Sequence, residues 1–323
     1  MTAAHSPSEP DDAREHPVGV TVPSAQRPAV APAPPVPEPY ADRSLRARAQ
    51  LQPLDYRLHE RDGSWLLAYD EQDDGRIVEV LGDLNTAEHI AVVVPGNDHT
   101  LRNYFEETSP AAPRGNGQRL LQVMHALYPD ARCAVVVWVG YRPPAGFVEA
   151  SRRGVARAGA ADLAALTRIL PPAAHVTLVG HSYGAVVCAL ALAEGRVDDL
   201  VSLASPGLGV RRARQLSFAG RVWAAQCESD WMRFFPNVRI AGFGHGVSPA
   251  HPRFGARIFA TGTAEGHCDY YRAEESVSNI ARIVLGRHDL VTPDSRHHQP
   301  WSAGGTSWGR LGPQSGYASE RSR

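Results

Sequence analysis

Residues His175 to Leu192, HVTLVGHSYGAVVCALAL, decide how this chain is read. Val176, Leu178 and Val179 make a short apolar run of the kind that forms a buried strand. After them, small and apolar residues continue without a breaker from Ala185, which suits a buried helix. Between the two lies Gly180-His181-Ser182-Tyr183-Gly184, a G-x-S-x-G pentapeptide. In a nucleophile elbow, a serine between strand and helix is held in a strained backbone conformation with its hydroxyl at the sheet edge. Strand and helix pass so close there that a Cβ two residues to either side would clash, which accounts for both glycines. The first free N–H groups of the helix, and its dipole, sit beside the carbonyl such a serine would attack. The pentapeptide alone arises often by chance; the apolar strand before it and the Ala-rich helix after it make it specific.

On either side of this stretch the pattern alternates. Trp65 to Tyr69 and Arg76 to Leu81 are apolar runs separated by Asp73-Asp74-Gly75, which predicts an antiparallel hairpin. Ile90 to Val94, Ala134 to Val139, Leu200 to Ala204, Arg221 to Cys227 and Arg257 to Thr261 read as further strands. Helices are predicted over Gln118 to Leu127, Val155 to Leu170 and Glu274 to Leu285. This is the α/β class, with a mainly parallel sheet, right-handed crossovers, an N-terminal antiparallel hairpin and helices on both faces. Ligands in such sheets bind beyond the strand C-termini, where the polar residues of this chain cluster. Residues 1–40 are Pro- and Ala-rich with almost no large apolar groups, and are expected to be disordered. The domain is expected over residues 41–288, opening with a short Arg-rich helix from Ala41 to Gln50. A polar, Gly/Ser/Pro-rich tail over 289–323 is expected to be disordered.

Composition narrows the chemistry. The chain has 323 residues and a formal net charge of −1, which argues against nucleic-acid binding by bulk electrostatics. All 33 basic residues are arginine. A P-loop lysine, a Schiff-base lysine and a Ser-Lys dyad are thereby excluded, and histidine is left as the natural base for a serine. Cys133, Cys188, Cys227 and Cys268 are widely spaced, so neither a zinc knuckle nor a disulfide framework is indicated. No G-x-G-x-x-G, P-loop or H-E-x-x-H is present, and no cofactor is expected. With no signal-like N-terminus and no uncharged stretch long enough to span a bilayer, a cytoplasmic protein without an obligate protein partner is expected.

A serine hydroxyl at neutral pH needs a base within hydrogen-bond reach, itself oriented by a carboxylate. In the α/β-hydrolase arrangement these follow in the order Ser, acid, His. Asp230, just past the strand Arg221 to Cys227, fits the acid, with Glu228 in reserve. His267 follows the last strand in a Gly-flanked loop ahead of the final helix, as the base requires. His245 and His251 lie in a less suitable loop before that strand, and His181 cannot easily face its neighbour's hydroxyl. For the oxyanion hole, one donor is the backbone N–H of Tyr183, and the second belongs to Asn97 or Asp98 in the loop after Ile90 to Val94. A carboxylate at Asp98 would oppose a developing oxyanion unless it points away or is paired.

The chain resembles bacterial α/β-hydrolases grouped as a domain of unknown function, which carry GHSYG at the elbow and G-H-x-x-Y near the end. The matching residues are Gly180 to Gly184, Val94-Pro95-Gly96, Ser205-Pro206-Gly207 and Gly266-His267-Cys268-Asp269-Tyr270. Ser278-Asn279-Ile280-Ala281 and Gly286 match as well, so the likeness runs from about Trp65 to Gly286. The family usually has serine where Cys268 stands and a small residue in place of Asp98. The resemblance implies a serine hydrolase fold and supplies no substrate.

Between the strands Leu200 to Ala204 and Arg221 to Cys227 the connection is short, so a large cap domain is not expected. The connection Trp231 to Phe254, with Trp231, Phe234, Phe235 and Phe243, is either a wall of the site or a packed surface loop. Arg211, Arg212 and Arg214 would attract an acidic substrate or form an ordinary solvated face. The expected activity is cofactor-free hydrolysis of a small-molecule ester, amide or thioester through an acyl-enzyme. The competing reading is a catalytically silent fold used for binding or regulation.

Overall fold

The computed structural model describes residues 54–97, 99–106, 109–144, 154–234 and 245–297. Among them nine strands form one sheet: β1 (His59–Arg61), β2 (Ser64–Asp70), β3 (Arg76–Gly82), β4 (His89–Val94), β5 (Cys133–Val139), β6 (His175–His181), β7 (Asp199–Leu203), β8 (Arg221–Ala225) and β9 (Arg257–Ile258). Their spatial order is β1-β2-β3-β5-β4-β6-β7-β8-β9. Pairing is antiparallel through β1, β2, β3 and β5, and parallel from β5 across to β9. This is the α/β-hydrolase fold that the alternation of strands and helices predicts.

Period-two alternation along the central strands divides the core in two. Ile90, Val92 and Val94 of β4, with Ala134, Val136 and Trp138 of β5, face one side. Ala91 and Val93, with Val135, Val137 and Val139, face the other. Helices α1 (Pro113–Leu127), α2 (Gly154–Ile169), α3 (Tyr183–Ala191) and α4 (Glu274–Val284) cover these faces in pairs. Val155 and Leu163 of α2 and Val186 of α3 pack on the first face. Leu120 and Met124 of α1 pack with Val277 and Ile280 of α4 on the second. Since both faces are covered, β4 and β5 read as nearly continuous apolar runs.

Several boundaries differ from those the pattern predicts. β1 is an extra strand of three exposed polar residues, invisible to an apolar-run criterion. Its turn, Asp62-Gly63, takes positive φ at both positions (51° and 77°), as a two-residue hairpin requires. Helix α1 begins at Pro113 rather than Gln118, with proline in the first turn, where it loses no hydrogen bond. β8 stops at Ala225 and β9 at Ile258, short of Cys227 and Thr261. Phe259 turns away to bridge Pro293, and Ala260 N donates to Thr292 O at 2.9 Å. That pairing carries the described fold past the boundary expected at residue 288: Val291 and Asp294 are buried, and residues 289–297 are part of the domain edge. The polar composition of this segment concealed its backbone pairing. The expected disorder over 1–40, the helix over 41–50 and the end of the tail lie outside the described residues. Residues 204–220, between β7 and β8, carry one short 3₁₀ turn, Ala213–Gln215. No described helix is long and apolar enough to cross a membrane.

Candidate active site

Ser182 stands between the last residue of β6 and the first of α3, with φ 53° and ψ −125°. A non-glycine residue there costs on the order of 1–3 kcal/mol and persists only where its surroundings dictate it. Those surroundings are tight. A Cβ on Gly184 would lie 2.3 Å from Val94 O, and one on Gly180 would lie 2.6 Å from Ala185 Cα. A Cβ on Gly96 would come within 2.8 Å of Ser182 Cβ, so the loop after β4 also presses on the elbow. The Ser182 N–H is tied across the sheet edge to Leu203 O at 2.9 Å.

Asp230 lies in the turn that follows β8 and is fully buried. Its Oδ1 accepts from His267 Nδ1 and from Met232 N, each at 2.9 Å, and its Oδ2 accepts from the Tyr270 hydroxyl at 2.7 Å. Burial alone would raise this carboxyl, but the His267, Met232 and Tyr270 hydrogen bonds outweigh it and hold the group below the usual carboxylate range. Because Nδ1 of His267 faces Asp230, Nε2 is left at the far tip of the ring. No hydrogen bond joins it to the Ser182 hydroxyl among the described residues.

The other candidates separate clearly. Glu228 is exposed and pairs with Arg296 at 3.1 Å, away from His267. His251 is exposed and accepts from Arg253 N at 3.1 Å, capping a short turn. His245 is buried against the Tyr183 ring, with centroids 5.7 Å apart. Tyr183 anchors its own helix, since its hydroxyl accepts from Ala156 N at 3.2 Å. Asn97 lies in the loop after β4, its Oδ1 buried without a partner among the described residues. Tyr141 holds that loop, its hydroxyl 3.0 Å from Pro95 O and 3.1 Å from Gly96 O. Asp98, Phe235 and Phe243 lie outside the described residues.

Two residues assigned no part by the sequence reading support the pair. His181 is partly buried and donates from Nε2 to the backbone carbonyl of His267 at 2.6 Å, with the two rings 4.8 Å apart. Burial, and then the neighbouring His267 ring, push His181 down to about 3, so it stays neutral. Tyr270 bridges loops, accepting from Cys227 N at 3.0 Å while it donates to Asp230. Cys227 Sγ donates to Gly266 O at 3.0 Å, and Gly266 N donates to Ser229 Oγ at 2.8 Å, so the acid and histidine loops are stitched together. The tyrosine of G-H-x-x-Y was the available signal; its target was not in the sequence. On the open side, Trp231 is half exposed with its ring 4.8 Å from that of His267, and Phe234 is largely exposed. Arg211, Arg212 and Arg214 lie on an exposed face.

The family described as alpha/beta hydrolase matches residues 70–240, just over half of the chain, and the chain belongs to that family. The match takes in Ser182 and Asp230 and ends before His267. An uncharacterized protein of Mycobacterium tuberculosis is 27% identical over 275 residues, covering 73% of this chain and 41% of its own length. The chain thus spans less than half of that relative. An uncharacterized protein of Mycobacterium bovis is 29% identical over 180 residues, 52% of this chain and 67% of its own. Among solved structures, a lidless α/β serine hydrolase from Xanthomonas campestris is similar at 16% identity and a TM-score of 0.40, covering 71% of this chain and 96% of its own. An esterase from Pyrobaculum calidifontis is similar at 13% identity and a TM-score of 0.40, covering 76% and 90%.

Proposed function

We propose that this protein is a serine hydrolase cleaving a small-molecule ester through an acyl-enzyme, with Ser182, His267 and Asp230 as its triad. The observation that carries the proposal is the Nδ1 hydrogen bond from His267 to buried Asp230, which fixes the ring with Nε2 at its far tip; that ring lies 4.8 Å from the ring of His181, the residue before a serine held at positive φ. Ser182 Oγ attacks the carbonyl carbon as its proton passes to His267 Nε2. Asp230 keeps the ring in the required tautomer and stabilises the imidazolium that forms. The tetrahedral oxyanion is held by the N–H of Tyr183 and an N–H of the loop after β4, at Asn97 or Asp98. Its collapse expels the leaving alkoxide, which takes the proton back from His267; water, activated by the same ring, then releases the acid and restores Ser182. The open Ser182–His267 link accords with catalytic hydrogen bonds that tighten only when substrate is bound. Half-exposed Trp231 beside His267 favours an apolar acyl or leaving group. Amide and thioester substrates would use the same parts, and graded p-nitrophenyl esters against matched amides and thioesters separate the three.

The same open link, together with Asp98 at a position where the family it resembles usually carries a small residue, favours a second reading, a silent binding fold. A fluorophosphonate probe decides between them. Labelling that disappears in Ser182→Ala supports the enzyme; folded wild-type protein that takes no label overturns it.

A further inference from the structure

At the opposite end of the sheet, three residues distant in sequence converge on one point. His175 opens β6, Asp199 opens β7, and His288 follows α4. Asp199 is fully buried, and its Oδ2 lies 2.8 Å from His175 Nε2 and 3.0 Å from His288 Nε2. Its other oxygen accepts from Trp223 Nε1 at 2.8 Å, which fixes the carboxylate plane. Nδ1 of His175 lies 3.9 Å from Asp198 Oδ2, beyond hydrogen-bond length, with that carboxylate held by Val176 N at 2.8 Å.

We propose that His175, Asp199 and His288 bind a divalent transition-metal ion of the zinc type, in a structural site unrelated to Ser182. The donor set is two imidazoles and one carboxylate, which suits zinc. The three ligand atoms already lie within 4.8 Å of one another. Zinc with ligands at about 2.0–2.1 Å spaces neighbouring ligand atoms at roughly 3.3 Å, so each nitrogen has to draw back from Oδ2 by a few tenths of an ångström while the two imidazole nitrogens close on each other by up to about 1.5 Å, within reach of ring rotation. The histidine side chains are 23% and 17% exposed, which gives the ion a path in and leaves water the fourth position. His175 and His181 are the first and last residues of β6, roughly 20 Å apart, so the ion takes no part in chemistry at the elbow. It would instead clamp the segment after α4 to the starts of β6 and β7.

The test is zinc chloride alone titrated into untagged, chelator-stripped full-length protein, read by calorimetry and thermal unfolding. One ion per chain is expected, with Tm rising by roughly 5–10 °C when free zinc is about 100-fold over Kd. His175→Gln and His288→Gln are each expected to weaken binding by about 10- to 100-fold. Absence of saturable binding in wild type overturns the proposal, as does unchanged affinity in the double variant, which would place the ion on other histidines. Cobalt(II) on wild-type protein needs no variant. Intense visible bands of four- or five-coordinate nitrogen–oxygen ligation support the site; a weak aqua-like spectrum overturns it.

Discussion

The two ends of the sheet each hold a buried aspartate gripped by histidine, and they differ in which ring nitrogen does the gripping. At Asp230 it is Nδ1 of a single imidazole, which leaves Nε2 at the tip of the ring. At Asp199 two imidazoles both present Nε2 to one oxygen, so the ring tips are turned inward onto the carboxylate. Each carboxylate also takes one aromatic donor, the Tyr270 hydroxyl in one case and the Trp223 indole in the other. The residue types nearly coincide; the direction of the ring separates the arrangement proposed for proton relay from a closed clamp. At Asp199, as at Asp230, burial raises the carboxyl and hydrogen bonds led by His175 more than offset it.

The comparison is broken or sharpened most strongly by Ser182→Ala, expected to lower kcat by about 10⁴-fold or more and to abolish fluorophosphonate labelling. Asp230→Asn is expected to lower kcat by on the order of 10³–10⁴-fold, because the wrong tautomer then faces Ser182. Its counterpart Asp199→Asn should register in stability instead, costing about 3 kcal/mol as a calorimetric loss of roughly 6–12 °C in Tm. Equal catalytic losses at both ends would erase the distinction. His181→Gln is expected to lower kcat by about 10- to 100-fold with KM little changed, since the His267 backbone loses its tether. The same variant has a pH signature. His181 stays neutral in the fold down to about 3, while the unfolded chain takes up its proton near 6.5. The folded state is therefore favoured above pH 6.5 and loses stability as pH falls from there towards 3. Denaturant titrations across that window should show a shallower loss in His181→Gln. Tyr270→Phe is the mildest, costing about 1–3 kcal/mol as the Cys227 amide and Asp230 lose a partner, with kcat reduced about tenfold or less.

Much of this was legible residue by residue. G-x-S-x-G was readable as a local motif: the clash that requires Gly180 is with Ala185, five residues on, whereas the one that requires Gly184 is with Val94 and Pro95 at the end of β4 and was fixed only by the sheet. The apolar runs of β4 and β5 announced a sheet covered on both faces. Asp230 and His267 could be chosen by their positions just past strand ends. What escaped were contacts between loops. His181 was set aside as a base, and its Nε2 bond to the His267 carbonyl spans 86 residues. β1 escaped because exposed polar residues pair through their backbone, which side-chain pattern does not report.

By itself, then, the sequence determined the order of strands and helices, the elbow, and the residue types able to act as nucleophile, base and acid. Local sterics and burial periodicity are written in neighbouring side chains, so they survive in one dimension. Only the tertiary structure decided which imidazole nitrogen each aspartate receives, that Glu228 turns to Arg296, and that His175 and His288 meet on Asp199. Those outcomes depend on ring orientations fixed by packing between segments far apart along the chain, and no spacing of letters encodes a direction in space.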